Sequence, residues 1–212
     1  MPTERKEIQY SVGIEDLYIC FMQGEETTDA IPTYENTIYQ QSNISDLTIS
    51  AATNNFVKWA SNKKIINITK NTAFSLAFNL AGLNREVRDL IFGKTRTKGI
   101  SFDDAKAKEY PKFAVGVIFP LSDGTKLARW YPRCTVSPVE ESWKTQNEEM
   151  TVDDIAYTIT ADPLLYNDVT MAEFDSGAAD VAGIKVEDFM AQVVCDESQI
   201  ETLFPSNGGT GE

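Results

Sequence analysis

The residues best suited to chemistry are carboxylates, three tryptophans and three cysteines, and none falls in the spacing of a catalytic device. The chain has no histidine. A nucleophile–histidine–acid relay is therefore impossible, and a zinc site is left without its usual nitrogen ligand. Cys20, Cys134 and Cys195 are odd in number, widely spaced and without a CxxC pair. That is the usage of buried free thiols in a reducing compartment. Neither GxxxxGK[ST] nor GxGxxG occurs, so the common phosphate-cradling turns are missing. Adjacent acids recur at Glu140-Glu141, Glu148-Glu149, Asp153-Asp154 and Glu187-Asp188. Two carboxylates can hydrolyse a glycosidic bond when they converge on it, but neighbours on a strand point to opposite faces. Asp103-Asp104 and Asp153-Asp154 lack the spacing of a calcium loop. Trp59, Trp130 and Trp143 could stack on sugar rings, although tryptophan more often fills a core or an interface.

Composition narrows the class further. The 212 residues suffice for one domain with a real core, and 42% apolar with 24% charged residues is ordinary globular usage. A formal net charge of -13 opposes tight binding to a phosphate backbone, while permitting nucleic acid to slide past. It also keeps a protein soluble. The charge is uneven. Residues 54–100 carry Lys58, Lys63, Lys64, Lys70, Arg85, Arg88, Lys94, Arg96 and Lys98 against Glu86 and Asp89, whereas the chain from residue 137 onward is strongly acidic. Such segments can pair between copies of a subunit, pair within one copy, or stay solvated. The first residues, MPTERKEIQYSVG, hold no apolar signal core, and no run approaches the length of a membrane span.

The elements that would position any site are mostly strands. Over 64–80 the even positions Ile66, Ile68, Thr72, Phe74, Leu76, Phe78 and Leu80 are mostly apolar, and the odd positions are small or polar. This is period two, the mark of a sheet with one buried face. The run is long for a strand, and Lys70 interrupts its apolar row. It therefore predicts a bend, or a strand that reaches beyond the body. Asn84 is placed to cap a helix whose stripe is Leu83, Val87, Leu90 and Ile91, with Gly93 to end it. Residues 113–121 alternate, Ser122-Asp123-Gly124 marks a hairpin, and 127–136 returns, with Pro132 calling for an edge or a bulge. Further strands are expected at 8–14, 17–22, 46–51, 149–161 and 186–195. Asp196 and Gln199 predict a capped helix over 197–204. Long polar stretches at 23–43 and 94–112 read as loops or arms. The expected fold is mainly β and mostly antiparallel, with one or two short helices.

Three stretches carry a resemblance. They are NTAFSLAFNLAGLNREVRDLIFG (71–93), KFAVGVIFPLSDGTKLARWYPRCTVSPVEESWKTQNEEMTVDDIAYTITADPL (112–164) and DFMAQVVCDESQIETLF (188–204). In order they are similar to the strand-then-helix unit, the hairpin core ending in Tyr-Pro, and the closing segment of the major tail proteins of siphophages, phages with long non-contractile tails. The resemblance covers about two-thirds of the chain and is weakest over the first 60 residues.

The resemblance implies an antiparallel β-sandwich or barrel of the tail-tube type, a single domain over 1–204 with arms near 23–43 and 94–112, and a flexible tail at 205–212. It implies no enzyme activity and no cofactor. Six subunits would form a ring, and rings would stack into a tube in the virion, assembled in the host cytoplasm. The implied partners are other copies, a tape-measure protein, and terminator and distal-tail proteins. Double-stranded DNA would pass through without specific binding. On this view Asn67, Thr69, Asn71, Asp154 and Thr158 are expected at a lumen or subunit boundary. Lys94, Arg96, Lys98, Asp103 and Asp104 are expected on an inter-ring arm. Competing readings are a ring-forming terminator or distal-tail protein, and a carbohydrate-binding β-sandwich.

Overall fold

A computed structural model describes residues 8–102, 106, 108–138, 154–179, 181 and 183–203. In chain order the elements are β1 (Leu17–Gln23), β2 (Thr33–Tyr34), β3 (Tyr39–Gln41), β4 (Ile44–Ala60), β5 (Lys63–Leu80), α1 (Arg85–Ile91), β6 (Arg96–Thr97), β7 (Ile100–Ser101), β8 (Phe113–Pro120), β9 (Lys126–Val136), β10 (Ile155–Ala161), β11 (Ala172–Asp175), α2 (Val186–Met190) and α3 (Ser198–Leu203). Among the described residues, nine strands form one sheet in the order β2-β1-β8-β9-β10-β5-β4, with β3 also on β1 and β11 on β9. The pairings are antiparallel. β6 and β7 make a separate small hairpin.

Side-chain alternation explains how this sheet closes. Leu17, Ile19 and Phe21 of β1 share one buried cluster with Leu76, Phe78 and Leu80 of β5, although three strands, β8, β9 and β10, separate β1 from β5 along the sheet path. The sheet therefore curls over its own inner face, and Val87 and Ile91 of α1 pack into the same cluster. On the opposite face of the β1–β8–β9 region, Cys20, Ala114, Ile118, Ala128 and Trp130 are covered by Val186, Phe189 and Met190 of α2 and by Val193 and Val194. The fold is mainly β, an antiparallel sheet curled in the manner of a sandwich or barrel.

Local signals set several boundaries. Asn84 Oδ1 accepts from the Glu86 amide at 2.9 Å, and Gly93 follows the helix at φ +59°, a region that favours glycine. Gln199 Oε1 accepts from the Asp196 amide at 3.0 Å while Asp196 Oδ1 accepts from the Ser198 amide at 2.9 Å, which caps α3. Asp123 Oδ1 accepts from the Thr125 amide and closes the β8–β9 turn. Pro132 sits within the register shift between Val115↔Tyr131 and Phe113↔Cys134, so its missing N–H falls at a bulge in an interior strand and not on an edge.

Other expectations are corrected. Residues 186–195 are not a strand. Val186, Phe189, Met190, Val193 and Val194 recur at helical spacing, and Asp188 Oδ2 accepts from the Lys185 amide to start α2. There are three short helices among the described residues, not one or two. Residues 8–14 make no strand, only an isolated bridge of Ser11 with Leu121. The strand expected at 46–51 runs from Ile44 to Ala60, and most of its extension pairs with β5 outside the body. Of the strand expected at 149–161, residues 149–153 lie outside the described residues and Ile155–Ala161 form β10.

Close packing across the sheet generates one prediction. A Cβ on Gly116 would lie 2.5 Å from Met190 Cε and 2.9 Å from Trp130 Cζ3. Met190 can move, but the Trp130 ring is buried and its Nε1 donates to the Phe189 carbonyl at 3.1 Å. Gly116→Ala should destabilise the fold by about 1–3 kcal/mol, the usual range for overpacking. Denaturant midpoints check this, and an unchanged midpoint would mean that α2 is not held against this strand.

Candidate functional site

The most exposed organised element is the hairpin of β4 and β5. Ala60 pairs with Lys63, so the loop is Ser61-Asn62, with φ of 49° and 58°. Two positive φ values make the tight turn whose twist suits a hairpin. β10 leaves β5 at Phe74, and among the described residues nothing lies on the outer side of β4. Residues 53–71 are therefore a two-stranded ribbon with two open edges. At about 3.4 Å per residue it projects roughly 25–30 Å. None of its residues is buried. Phe56, Trp59 and Ile68 are 59%, 65% and 58% exposed, and Val57 and Ile65 are also open. The ribbon carries Lys58, Lys63, Lys64 and Lys70 and no carboxylate.

A bulge divides this hairpin into two chemical regimes. Ala52 pairs with Ala73 but Thr53 pairs with Asn71, so Thr72 is the extra residue. Its hydroxyl donates to the Ala52 carbonyl at 3.1 Å. An extra residue switches the faces of all that follows. Phe74, Leu76, Phe78 and Leu80 face the core, whereas Ile66, Ile68 and Lys70 continue the opposite, outer face beside Lys58, Phe56 and Asn54. The single apolar row expected from 66 to 80 is thus two rows on two faces.

The outer face of the β10–β5–β4 region is the second candidate surface. It displays Thr48, Ser50, Ala73, Ser75, Ala77, Thr158 and Thr160, with Asp46 at its margin bonded to Asn79 at 2.7 Å. These side chains are small and mostly neutral, and no lysine or arginine stands among them. No described helix covers this face: α1 joins the inner cluster, and α2 packs on the β1–β8–β9 side.

The residues expected at a lumen or boundary divide between these surfaces. Thr158 is exposed on the outer face opposite Ala77, and Asp154 is exposed just ahead of β10. Asn67, Thr69 and Asn71 lie beyond the bulge, on the ribbon face that continues the core side, where Thr69 Oγ1 bonds Asn55 at 2.7 Å. The structure does not bring the five together. Sequence periodicity missed Phe56, Val57 and Trp59, because alternation in β4 is weak across Asn54-Asn55.

The two expected arms are partly tied down. Residues 23–43 contain β2 and β3, which pair with β1. The Glu26 side chain is out of solvent between Arg133, at 2.8 Å, and Lys112, at 3.8 Å, and it accepts from the Leu165 amide at 2.7 Å. In the second arm Arg96 clasps Asp89 through two bonds of 2.7 and 3.0 Å, so its charge is used within the subunit. Lys98 sits at the β6–β7 turn at φ +50°, Lys94 lies over the Phe92 ring, and Ile100 and Phe102 are exposed. Asp103 and Asp104 lie outside the described residues.

The remaining candidates for chemistry are dispersed. Trp130 is in the core, Trp59 is at the ribbon tip, and Trp143 lies outside the described residues, so no Trp platform forms from the first two. Burial pushes the Cys20 and Cys195 thiols up to about 11, and Cys134 higher, which makes them poor nucleophiles. No helix among the described residues is long and apolar enough to cross a membrane. No protein-family model matches the chain, and no curated protein sequence matches it.

The Asp89–Arg96 clasp gives a pH prediction. Hydrogen bonding from Arg96 holds the Asp89 carboxyl below its ordinary value of 3.8. A depressed folded value means that the clasp stabilises the β6–β7 hairpin fully above the ordinary aspartate range. The stabilisation is lost as pH falls through the lowered value. The pair is near the surface, so solvent screening keeps the effect small. A carboxyl-carbon NMR titration should find Asp89 below 3.8, and Arg96→Gln should bring it upward. An unmoved midpoint would show that the clasp does not form in solution.

Proposed function

We propose that this chain is a self-assembling structural subunit, the tail-tube protein of a long non-contractile phage tail. The observation that carries the reading is the 53–71 ribbon. An isolated two-stranded ribbon is marginal in water, and long open edges with exposed apolar side chains are templates for another chain. This ribbon holds exposed Phe56, Trp59 and Ile68 on such a frame. Contact with further copies would pair its edges and cover those rings. The resemblance supplies the form of that contact: hexameric rings stacked into a tube.

The outer face of β10, β5 and β4 suits the wall of a conduit. A surface of Thr, Ser and Ala without cations offers a phosphate backbone no salt bridge. The net charge of -13 adds a repulsive field. Double-stranded DNA would pass such a wall without adhering. Tape-measure, terminator and distal-tail proteins belong to the same proposal, as does a place in the virion.

The experiment is to shorten the hairpin. Replacing residues 53–71 by a two-residue turn removes the ribbon and leaves the buried part of β4 and β5 intact. The shortened chain should keep its thermal midpoint, since none of the ribbon is buried. It should sediment as a monomer, or as a small oligomer, at concentrations where the full chain forms large particles. Equal assembly by both chains would remove the ribbon from the assembly contact and with it the main support for this function.

A further inference from the structure

We infer that the ribbon tip of one copy docks head-to-tail into the groove between β11, α2 and α3 of a second copy. This rests on the self-assembly reading and names the surface that receives the ribbon.

The groove has a volume of about 530 Å³ and is lined mainly by apolar side chains. Its floor includes Phe174, stacked on Phe189 at 5.4 Å, together with Met171 and Val194. Val181, Ile184 and Ile200 form its walls, and Ile200 is half exposed. A cleft of this size holds a large side chain such as Trp59 with apolar neighbours. Among the described residues β11 pairs only with β9, which leaves its other edge open to a strand beside the groove.

Charge selects the occupant. The lining contains Glu173, Asp175, Asp196 and Glu197 and no lysine or arginine. Only Glu173 is offset, by Arg129 at 2.5 Å. The ribbon tip has the complementary set, with Lys58, Lys63 and Lys64 around Trp59 and no carboxylate. None of these lysines has an ion pair within its own subunit among the described residues. An aromatic anchor entering an apolar cleft inside a ring of opposite charge is the usual anatomy of a specific contact. Tip and groove are different surfaces, so the contact is heterologous and can propagate from copy to copy.

The test uses the full chain in two forms with one added surface cysteine each, Ala60→Cys beside the Trp59 anchor and Glu201→Cys beside Ile200, distinguished by mass and treated with a short bis-maleimide. The native cysteines are buried. The mixture should give the mixed cross-linked pair at a yield at least about tenfold above either homotypic pair. Glu197→Lys with Ile200→Glu should raise the half-assembly concentration at least about tenfold, and salt should weaken the wild-type contact. Cross-linking of the Ala60→Cys form to itself, in place of the mixed pair, would overturn the docking. So would assembly unchanged by the groove substitutions; if wild-type tubes persist there, the tube reading survives without this contact. Mixed cross-links without any tube would retain the docking and overturn the tube. Anionic vesicles that bind the wild type through Trp59, with self-association untouched by tip changes, would reassign the tip to a lipid surface.

Discussion

A strand edge must find hydrogen-bond partners, and here one hairpin is longer than the sheet that could supply them. β5 is paired on both sides from Phe74 to Leu80 and on one side beyond that. The buried half is held by Leu76, Phe78 and Leu80 against strands from across the curled sheet, together with α1. The outer half has only β4. Its isolation is the condition that the assembly reading answers. A protein adapted to remain a monomer would shorten, charge or cover such an edge. This one carries lysines, but among the described residues its edge stays long and uncovered, and it adds apolar rings at Phe56 and Trp59.

The Thr72 bulge determines which side chains meet which environment. By reversing the alternation it turns Ile66, Ile68 and Lys70 to the outer side and sends Asn67, Thr69 and Asn71 to the side continuous with the core. The body thus presents small neutral residues where the sheet is three strands wide, and the ribbon presents apolar and basic ones farther out. One extra residue separates a face of small neutral side chains from an apolar and basic tip, and it does so without a break in the strand.

Much of the body was legible in the sequence because the signals there are local. Asn84 and Gly93 bound α1, Asp196 and Gln199 start α3, Asp123-Gly124 turns β8 into β9, and Pro132 marks a bulge. What was not legible depended on contacts distant in the chain. The apolar spacing of 186–195 fits a short helix as well as a buried strand, and packing against Trp130 decides between them. β4 beyond Ala51 has little alternation of its own, and it is a strand because β5 pairs with it. Glu26 reads as one acid in a polar loop, and only Arg133 and Lys112 make it a buried anchor. The candidate surface was half visible. The long run at 64–80 suggested a strand reaching past the body, but the turn at Ser61-Asn62 and the aromatic tip at Phe56 and Trp59 gave no periodic signal.

The central claim is that the exposed ribbon belongs to a polymer of this chain. Negative-stain electron microscopy of the purified full-length protein, across concentration and salt, tests it most directly. The account predicts long hollow tubes with a regular axial repeat, forming above a threshold concentration. Dispersed monomers at all concentrations, or discrete rings that never stack, would contradict it.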